Sequence, residues 1–401
     1  MSKTFQPSKF QQNIFDELAT GTGHIQVAAV AGSGKSSTII EALARLPAMV
    51  RMNTLLCAFN KEIASELQRR APEGVTIKTV HAIGFATLGA HLGKPGARWQ
   101  AKVEEGKYRK LIEDRWVGRH RDRFDPVTDA ERLLFQLAHF CRMTLTDPAD
   151  EAAVVALAEA QVPDQAEDTR ALAQALRELP DLLARGVEQA TGDEAVIDFT
   201  DMLWLPARLD LQPKRYRMVM GDEVQDWSAA QLAIVLKCLA KDGRLLACGD
   251  ARQAIYAFCG ADSQAFDRIR EATDAKLMPL SICYRCPQAI IRLAQTIVPE
   301  IEAAPDAPEG AVDTIKEATF EQMVAPRDMV LCRVNAPLLA TAFRLIGQGK
   351  PTQVRGRDIG RSVVKVIDQV ERQPGFVWAT FAEHVMQWQQ VNLQAAIRKQ
   401  S

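Results

Sequence analysis

Short apolar runs alternate with amphipathic segments near the start of the chain and again between residues 217 and 248. The amphipathic segments have apolar residues at three- and four-residue spacing, which is the helical period. The predicted strands are residues 25–30, 54–59, 75–80, 217–221 and 244–248. Buried strands that alternate with helices are typical of a mostly parallel sheet with helices on both faces. The pattern therefore predicts an α/β fold.

The stretch between residues 93 and 192 interrupts this alternation. It has a helical pattern almost throughout, and Ala, Leu, Glu and Arg dominate it. We predict a helical insertion over 93–192, so that residues 1–92 and 193–279 form one lobe around it. Residues 94–125 contain ten Lys or Arg and six Asp or Glu. A solvated helix face is favoured over phosphate contact as the explanation of any one of these charges.

A second region begins near residue 280. Strands predicted at 329–334 and 352–354 flank a helix predicted over 337–346, and residues 357–401 are mixed and largely helical. Two strands are too few for a complete sheet of this kind. We therefore predict an incomplete second lobe over 280–356 and a stub of a second insertion over 357–401.

The charges of the chain nearly balance, since 49 Lys and Arg face 50 Asp and Glu for a formal net charge of −1. A nucleic-acid site must therefore be a local groove, because the chain as a whole supplies no positive field. No apolar run approaches the roughly 18 residues that a membrane span needs, and the first residues lack the apolar core of a signal peptide. The eight cysteines lie mostly within apolar runs, as in reduced cytosolic proteins. Composition thus predicts a cytoplasmic protein without a membrane partner.

A glycine-rich segment, AVAGSGKS at residues 29–36, lies between a predicted strand and a predicted helix. Backbone N–H groups of such a turn, together with the helix N-terminus, bind phosphate. Lys35 would reach the β- and γ-phosphate oxygens, and the Ser36 hydroxyl would ligate Mg²⁺. Ala29 replaces the usual first glycine of G-x-x-x-x-G-K-[ST], and the alternative is an accidental turn, which the strand–turn–helix context disfavours. The candidate ATP-binding residues of the loop are Ala31, Gly32, Ser33, Gly34, Lys35, Ser36 and Ser37.

An acidic pair follows the predicted strand at 217–221. Asp222 would hold Mg²⁺ through water, and Glu223 would orient and deprotonate the attacking water. The alternative is an acidic loop before a helix, because Ser228 and Gln231 form a capping-box pattern just afterwards. That cap requires neither carboxylate, so the catalytic interpretation is favoured.

Together with further segments, these motifs resemble those of the UvrD/Rep-like branch of superfamily 1 DNA helicases, over residues 5 to about 360. DEVQD at 222–226 resembles the acidic motif of that branch, and GDARQAIYAFCGA at 249–261 resembles its third motif. The resemblance implies that Gln253 senses the γ-phosphate and that Tyr256 and Phe258 contact DNA bases. Core filling is the alternative for the two aromatic residues, and Cys259 stands where the family commonly has Arg.

Other segments extend the resemblance to the adenine and to single-stranded DNA. Ser8-x-x-Gln11 resembles the glutamine motif that reads adenine, although the same pair also forms a capping-box pattern. Residues that follow the second and third strands would hold the DNA, by stacking and by phosphate contact. These residues are Phe59, Asn60, Thr79 and His81. A buried histidine without a ligand is the alternative for His81.

The segment SICYR at 281–285 resembles the fourth motif of the family. The resemblance implies that adenine stacks on Tyr284 and that Arg285 reaches the γ-phosphate. A guanidinium suits this role because it stays charged and presents a planar fork to phosphate oxygens. The alternative is a core tyrosine and a surface arginine before a helix that begins at Pro287.

The resemblance implies a RecA-like P-loop NTPase lobe with a helical insertion, followed by an incomplete second RecA-like lobe. The implied function is ATP- and Mg²⁺-dependent translocation on single-stranded DNA, or on a duplex with a single-stranded tail, with 3′-to-5′ strand separation. The implied location is the cytoplasm, at the nucleoid or in a host cell if the chain is phage-encoded.

Two motifs of the family, one with His-Lys-x-x-Gly-Leu-Glu and one ending in Thr-Arg, are not found in residues 286–401. We therefore expect a chain that is truncated relative to the family, with Arg285 as its remaining arginine finger. The alternative function is a catalytically weak ATP-dependent DNA-binding module, or one half of a split helicase whose partner protein supplies the missing motifs. A P-loop kinase or GTPase would leave the third motif and the Tyr284-Arg285 pair unexplained.

Overall fold

The structure, a computed structural model, describes residues 5–93, 99–117, 128–254, 265–332, 335–354, 364, 367–381, 383–388 and 390. The chain divides into two compact units, Met1–Val312 and Asp313–Ser401. The strands of the first unit are β1 (Ile25–Ala29), β2 (Thr54–Ala58), β3 (Thr76–Thr79), β4 (Lys102–Val103), β5 (Val196–Ile197), β6 (Tyr216–Gly221), β7 (Leu239–Gly249), β8 (Lys276–Leu280), β9 (Ile282–Cys283) and β10 (Glu302–Ala303). Its helices are α1 (Lys9–Thr20), α2 (Lys35–Arg45), α3 (Ala48–Arg51), α4 (Lys61–Arg70), α5 (Val80–Leu92), α6 (Lys107–Val117), α7 (Asp129–Thr144), α8 (Glu151–Gln161), α9 (Pro163–Ala166), α10 (Thr169–Thr191), α11 (Asp201–Arg208), α12 (Ala229–Lys237), α13 (Ala265–Thr273) and α14 (Gln288–Ala294).

A six-stranded parallel sheet organises the first unit, in the order β3-β2-β6-β7-β1-β8. The five strands predicted near the start and the middle of the chain are confirmed. The sixth strand, β8, was not predicted, because Pro279 interrupts its short apolar run; Lys276, Leu277 and Pro279 are its exposed residues. Its position at the edge of the sheet explains both features, since an edge strand tolerates proline and exposure. The α/β prediction of a RecA-like P-loop lobe is confirmed.

Helices cover both faces of this sheet. Successive residues of β2 point to opposite faces, so Leu56 packs with the core that contains Ile39 of α2, while Leu55 packs with the core that contains Val235 of α12. Both leucines are fully buried. A strand that is apolar on both faces is what a parallel sheet between two helical layers requires.

Between β3 and β6 the chain forms a largely helical region, from α6 to α10, with a separate apolar core. The short strands β4 and β5 pair in parallel at its base. The longest helices, α7 and α10, contribute the buried residues Leu133, Leu137 and Leu179 to this core.

Five polar residues form a buried ion cluster in this region: Lys107, Tyr108, Arg142, Asp198 and Asp201. Lys107 Nζ donates to Asp201 Oδ2 at 2.6 Å, and the Tyr108 hydroxyl donates to Asp201 Oδ1 at 3.0 Å. Arg142 Nη1 donates to both carboxylate oxygens of Asp198 at 2.8 Å and to Asp201 Oδ1 at 2.9 Å. The side chain of Lys107 is fully buried. For Lys107 the prediction of a solvated helix face is therefore wrong, because its charge is neutralised by an acid 94 residues away.

The chain after β8 begins with a small element in the first unit, in which β9 and β10 pair in parallel. The second unit contains α15 (Glu317–Met323) and α16 (Asn335–Gly347), and α16 confirms the helix predicted over 337–346. The strands predicted at 329–334 and 352–354 are wrong: residues 329–332 and 352–354 form no strand, and residues 333–334 lie outside the described part. Neither segment finds a strand to pair with among the described residues, and an apolar run without a hydrogen-bonding partner does not become a strand.

No helix within the ranges that the structure describes is long and apolar enough to cross a membrane.

Candidate nucleotide-binding site

The loop between β1 and α2 has a backbone conformation that glycine makes accessible. Gly32 has φ +71° and Gly34 has φ +80°, both in the left-handed region that glycine enters readily. Gly34 is the N-cap residue of α2 and supplies no side-chain hydrogen bond to the helix. The hydroxyl of Ser33 is buried and has no hydrogen-bond partner. Because the first N–H groups of a helix have no intrahelical acceptor, this turn is suited to bind an anion. Ala31 lies exposed at the start of the same turn.

The loop and the acidic pair lie at the same edge of the sheet, where the parallel strands β1 and β6 both end. Lys35 Nζ contacts Glu223 Oε2 at 2.5 Å, and Ser36 Oγ donates to Asp222 Oδ2 at 2.8 Å. The Lys35 side chain is 10% exposed and that of Glu223 is 28% exposed. Lys35 and Ser36 at the start of α2 and Asp222 and Glu223 after β6 therefore form one polar cluster, which we call the site cluster.

Burial and mutual repulsion raise the pKa of two carboxyl groups here. Asp222 is almost fully buried, and burial together with the charge of Glu223 raises its pKa. The same two causes raise the pKa of Asp226 to about 6, and its Oδ1 has no hydrogen-bond partner. Glu223 itself has φ +54° and ψ +43°, a left-handed conformation that is unfavourable for a residue with a Cβ. A bound cation would relieve this excess of negative charge.

A magnesium ion fits the chemistry of Ser36 and Asp222. No group of three or more His, Cys, Asp or Glu that could hold a metal occurs among the residues described. Mg²⁺ does not need such a group, because it usually binds one or two protein oxygens together with phosphate oxygens and water. The hydroxyl and the carboxylate that contact each other at 2.8 Å are two oxygens that could hold the ion.

Gln225, which sequence reasoning did not single out, connects the site cluster to the residues that follow β7. Gln225 Nε2 donates to Glu223 Oε2 at 3.0 Å, and Gln225 Oε1 accepts from the backbone N of Asp250 at 3.0 Å. Gln253 Nε2 donates to Asp250 Oδ2 at 2.8 Å. The position of Gln225 inside the acidic motif was the only available signal, and its partner lies 25 residues further along the chain.

Gln11 contacts the loop from helix α1. Its Oε1 accepts from the backbone N of Ser8 at 2.9 Å, in a complete capping box. Its Nε2 donates to the Thr38 hydroxyl at 3.0 Å. The capping alternative is therefore realised in the structure, and the same side chain reaches α2 close to the phosphate loop. Ser37, also in α2, accepts a hydrogen bond from Arg70 at 3.1 Å.

Tyr284 and Arg285 lie directly against the loop. The backbone N of Tyr284 donates to Gly32 O at 2.9 Å. A Cβ on Gly32 would lie 2.8 Å from Arg285 Cβ and 2.8 Å from Cys283 Sγ. Both side chains are exposed, Tyr284 to 49%, so the alternative of a core tyrosine is wrong. Helix α14 begins at Gln288, one residue after the start at Pro287 that the sequence predicts, and Pro287 is its N-cap residue.

The four predicted DNA-contact residues in the described part lie at the ends of β2 and β3. Asn60 caps α4 by accepting from Ile63 N at 2.8 Å, and Thr79 caps α5 by accepting from Ala82 N at 3.2 Å. Phe59 is half-buried. Burial lowers the pKa of His81, which favours its neutral form. Tyr256 and Phe258 lie outside the described residues.

An aromatic residue that sequence reasoning missed lies beside His81. Phe199 is 44% exposed, and its ring centre is 6.3 Å from that of His81 in an edge-to-face arrangement. Its segment follows β5, which is too short to give a strand signal. An exposed aromatic ring near the carboxyl edge of the sheet is suited to stack on a base.

Comparison with known proteins identifies the family. Residues 10–274 match the model of the UvrD/REP helicase N-terminal domain. The chain is 26% identical to the ATP-dependent DNA helicase UvrD2 of Mycobacterium tuberculosis over 299 residues, which cover 69% of this chain and 41% of UvrD2. It is 28% identical to the RecBCD enzyme subunit RecB of the same organism over 220 residues, which cover 52% of this chain and 18% of RecB. The matches thus span less than half the length of each relative. The chain belongs to the UvrD/REP helicase N-terminal domain family.

Proposed function

We propose that this chain binds ATP with Mg²⁺ at the site cluster and uses its hydrolysis to move along single-stranded DNA in the 3′-to-5′ direction. The observation that carries the proposal is the pair of contacts Lys35–Glu223 and Ser36–Asp222, at 2.5 and 2.8 Å. They bring a phosphate-binding turn and an acidic pair within one hydrogen bond of each other. The related UvrD2 is itself an ATP-dependent DNA helicase.

Lys35 and Glu223 would exchange partners during the reaction. When ATP binds, Lys35 would turn from Glu223 to the phosphate oxygens. That exchange leaves the Glu223 carboxylate without its counter-cation and therefore a better proton acceptor for the attacking water. Ser36 and Asp222 would hold Mg²⁺, which neutralises phosphate charge when it is bound.

Gln11, Tyr284 and Arg285 would complete the nucleotide site. Tyr284 offers an exposed ring for adenine, and the guanidinium of Arg285 suits the γ-phosphate. The backbone of Tyr284 is anchored to the phosphate-binding loop, because its N–H donates to the Gly32 carbonyl. Gln11 would read adenine from α1 while its cap holds the start of that helix. Gln253 would respond to the γ-phosphate through its bond to Asp250.

Single-stranded DNA would lie across the carboxyl edge of the sheet, on Phe59, Asn60, Thr79 and His81. Phe199 adds a further ring at His81. Stacking of a base on an aromatic side chain contributes about 1–3 kcal/mol and tolerates any sequence. That tolerance is what movement along DNA requires. We extend the proposal to Tyr256 and Phe258 on the family resemblance alone.

The alternative is a nucleotide-dependent DNA-binding module with little turnover, completed by a second protein. It is favoured by one observation: the part of Asp313–Ser401 that the structure describes contains no strand. Steady-state phosphate release by the purified chain separates the two functions. We expect ATP turnover with Mg²⁺ that rises at least tenfold on adding oligo(dT), and unwinding of a duplex with a 3′ tail but not a 5′ tail.

Two lysine variants test the site itself. Lys35→Ala should lower kcat on the order of 10²–10³-fold, the effect of removing one donor that stabilises transition-state charge. Lys276→Ala is the control. This exposed lysine is the first residue of β8, at the amino ends of the strands and away from the site cluster, and it pairs with Glu17. DNA binding that depends on nucleotide without turnover would support the alternative, and normal turnover in Lys35→Ala would contradict both functions.

A further inference from the structure

Gln225 joins the acidic pair to the end of the neighbouring strand. Its Nε2 donates to Glu223 Oε2 at 3.0 Å and to Asp226 Oδ2 at 3.2 Å, and its Oε1 accepts from Asp250 N at 3.0 Å. The residue is 3% exposed. A buried amide whose donor and acceptor groups both have partners is held in one orientation. Gln225 therefore links two segments that follow adjacent strands, β6 and β7.

The backbone around Gln225 leaves room for this link. A Cβ on Gly249 would lie 2.5 Å from Gln225 Oε1. Any other residue at the end of β7 would displace the amide and lengthen its bond to Asp250 N. The close approach of the Gln225 amide to the end of β7 thus requires glycine at position 249.

Glu223 depends on hydrogen bonds to keep its position. Its backbone is in the left-handed region at φ +54°, where only favourable contacts can hold a residue with a Cβ. Its N–H donates to Asp222 Oδ1 at 3.0 Å, and its carboxylate accepts from Lys35 and Gln225. If Lys35 turns to a phosphate, the bond from Gln225 remains to orient the carboxylate.

The link continues into the turn at Ala251–Gln253. Asp250 Oδ1 accepts from the backbone N of Arg252 at 3.0 Å, and Asp250 Oδ2 accepts from Gln253 Nε2 at 2.8 Å. A shift of the Glu223 carboxylate would weaken one side of the Gln225 amide and so disturb its bond to Asp250. The chain of bonds gives that turn a direct mechanical connection to the site cluster.

We propose that Gln225 is a positioning residue, which fixes the Glu223 carboxylate for proton transfer and couples its orientation to the 250–253 turn. The inference rests on the proposed ATP hydrolysis. Gln225 is buried and both ends of its amide are paired within the protein, so we expect it to act on the chemical step and on coupling to DNA, and not on the affinity for ATP.

Two substitutions separate the ends of the link. Gln225→Glu keeps an oxygen for Asp250 N but replaces the donor to Glu223 by a second acceptor. Gln225→Leu removes both ends. We expect kcat for ATP, measured with saturating oligo(dT), to fall at least tenfold in each variant while KM stays within threefold. Gln231→Leu is the matched control: it removes another buried amide, whose Oε1 accepts only within the cap of α12, and should leave kcat within twofold.

A second measurement does not depend on turnover. We titrate fluorescent oligo(dT) with and without a non-hydrolysable ATP analogue, and expect the analogue to change the Kd of the wild-type chain at least threefold. In Gln225→Leu the two Kd values should coincide, whereas Gln231→Leu should keep the difference.

Several results would overturn the inference. The positioning role is wrong if both Gln225 variants keep kcat within twofold, or if KM rises as much as kcat falls. The coupling role is wrong if Gln225→Leu keeps the nucleotide-dependent change in Kd, or if the wild-type chain shows none. A wild-type chain that binds the analogue but does not hydrolyse ATP contradicts the hydrolysis in the proposed function and the positioning role with it, and the oligo(dT) titration then decides the coupling role.

Discussion

Two polar clusters of this chain contain the same residue types but differ in their surroundings and in their expected roles. The buried ion cluster and the site cluster each place a lysine against a carboxylate, at 2.6 Å for Lys107–Asp201 and 2.5 Å for Lys35–Glu223. In the first, both side chains are fully buried; in the second, they are 10% and 28% exposed. The first ties helices together, whereas the second lies at the edge of a sheet.

The clusters also differ in how completely their polar atoms are paired. In the buried ion cluster, Arg142 also packs 3.7 Å from the ring of Tyr108, and Lys107 also binds Gly186 O at 2.6 Å. Around the site cluster, Ser33 Oγ and Asp226 Oδ1 have no partner, and Glu223 has a strained backbone. A satisfied network rigidifies a fold, while unpaired and strained groups mark a place where a ligand completes the structure. Exposure and satisfaction, and not residue type, separate structure from function here.

The largest difference is expected when each lysine is replaced by methionine. In Lys107→Met, Asp201 and Gly186 O lose a buried partner, and the free energy of unfolding should fall by about 3–5 kcal/mol. In Lys35→Met, solvent reaches Glu223, so the change in unfolding free energy should stay within about 1 kcal/mol while ATP turnover is lost. Urea unfolding at pH 7.5 and phosphate release measure the two quantities on the same preparations.

The comparison fails if both variants lose similar stability, since the site cluster would then be a structural ion pair. It also fails if folded Lys107→Met loses turnover as Lys35→Met does. If Lys107→Met does not accumulate as a folded protein, Tyr108→Phe is measured in its place, because it removes only the 3.0 Å bond to Asp201.

A smaller difference is expected when alanine replaces one glycine of each region. A Cβ on Gly186 would lie 2.2 Å from the Tyr108 hydroxyl. Gly186→Ala should therefore lower the unfolding free energy by about 1–3 kcal/mol, as overpacking does, in spite of the better helix propensity of alanine. Nucleotide affinity should not change.

Gly32→Ala should have the converse effect. Alanine at the φ of +71° found here is strained by about 1–2 kcal/mol, and its Cβ would displace Cys283 and Arg285. We expect the Kd for a fluorescent ATP analogue to rise about tenfold or more, because small displacements of binding groups have large effects. Unchanged affinity in Gly32→Ala would show that the Tyr284-Arg285 segment does not serve the nucleotide.

The sequence predicted the members of the site cluster but not the links between them. Lys35, Ser36, Asp222 and Glu223 were found because parallel strands end at one edge of a sheet, so local motifs converge without further information. The Gln225–Asp250 bond and the Lys107–Asp201 pair depend on which elements become neighbours. Spacing along the chain does not encode those contacts. The strands predicted at 329–334 and 352–354 failed for the same reason: an apolar run indicates burial, but a strand also needs a partner.

The smallest effect, and the one that depends on pH, concerns Asp226. Its pKa of about 6 in the folded chain lies above the ordinary 3.8, because burial and Glu223 disfavour its charge. As pH rises from 4 to 6, the unfolded chain loses this proton before the folded chain does, so Asp226 progressively destabilises the fold, and above pH 6 the loss is complete. In Asp226→Asn, the amide oxygen can still accept from Gln225 and no charge is buried.

We therefore expect Asp226→Asn to be more stable than the wild-type chain at pH 7.5 by about 1–2 kcal/mol, with the difference shrinking as pH falls towards 4. Tyr108→Phe is the counterpart in the buried ion cluster. It should be less stable than the wild-type chain by about 1–2 kcal/mol, because it loses a hydrogen bond to a charged group. This loss of stability should be similar at pH 6 and at pH 7.5. Urea unfolding at several pH values measures both. An Asp226→Asn variant that is less stable at pH 7.5 would mean that the carboxylate is already neutralised within the fold. Asp226 would then be as well paired as the carboxylates of the buried ion cluster, and only Ser33 Oγ and the strained backbone of Glu223 would remain as unsatisfied features around the site cluster.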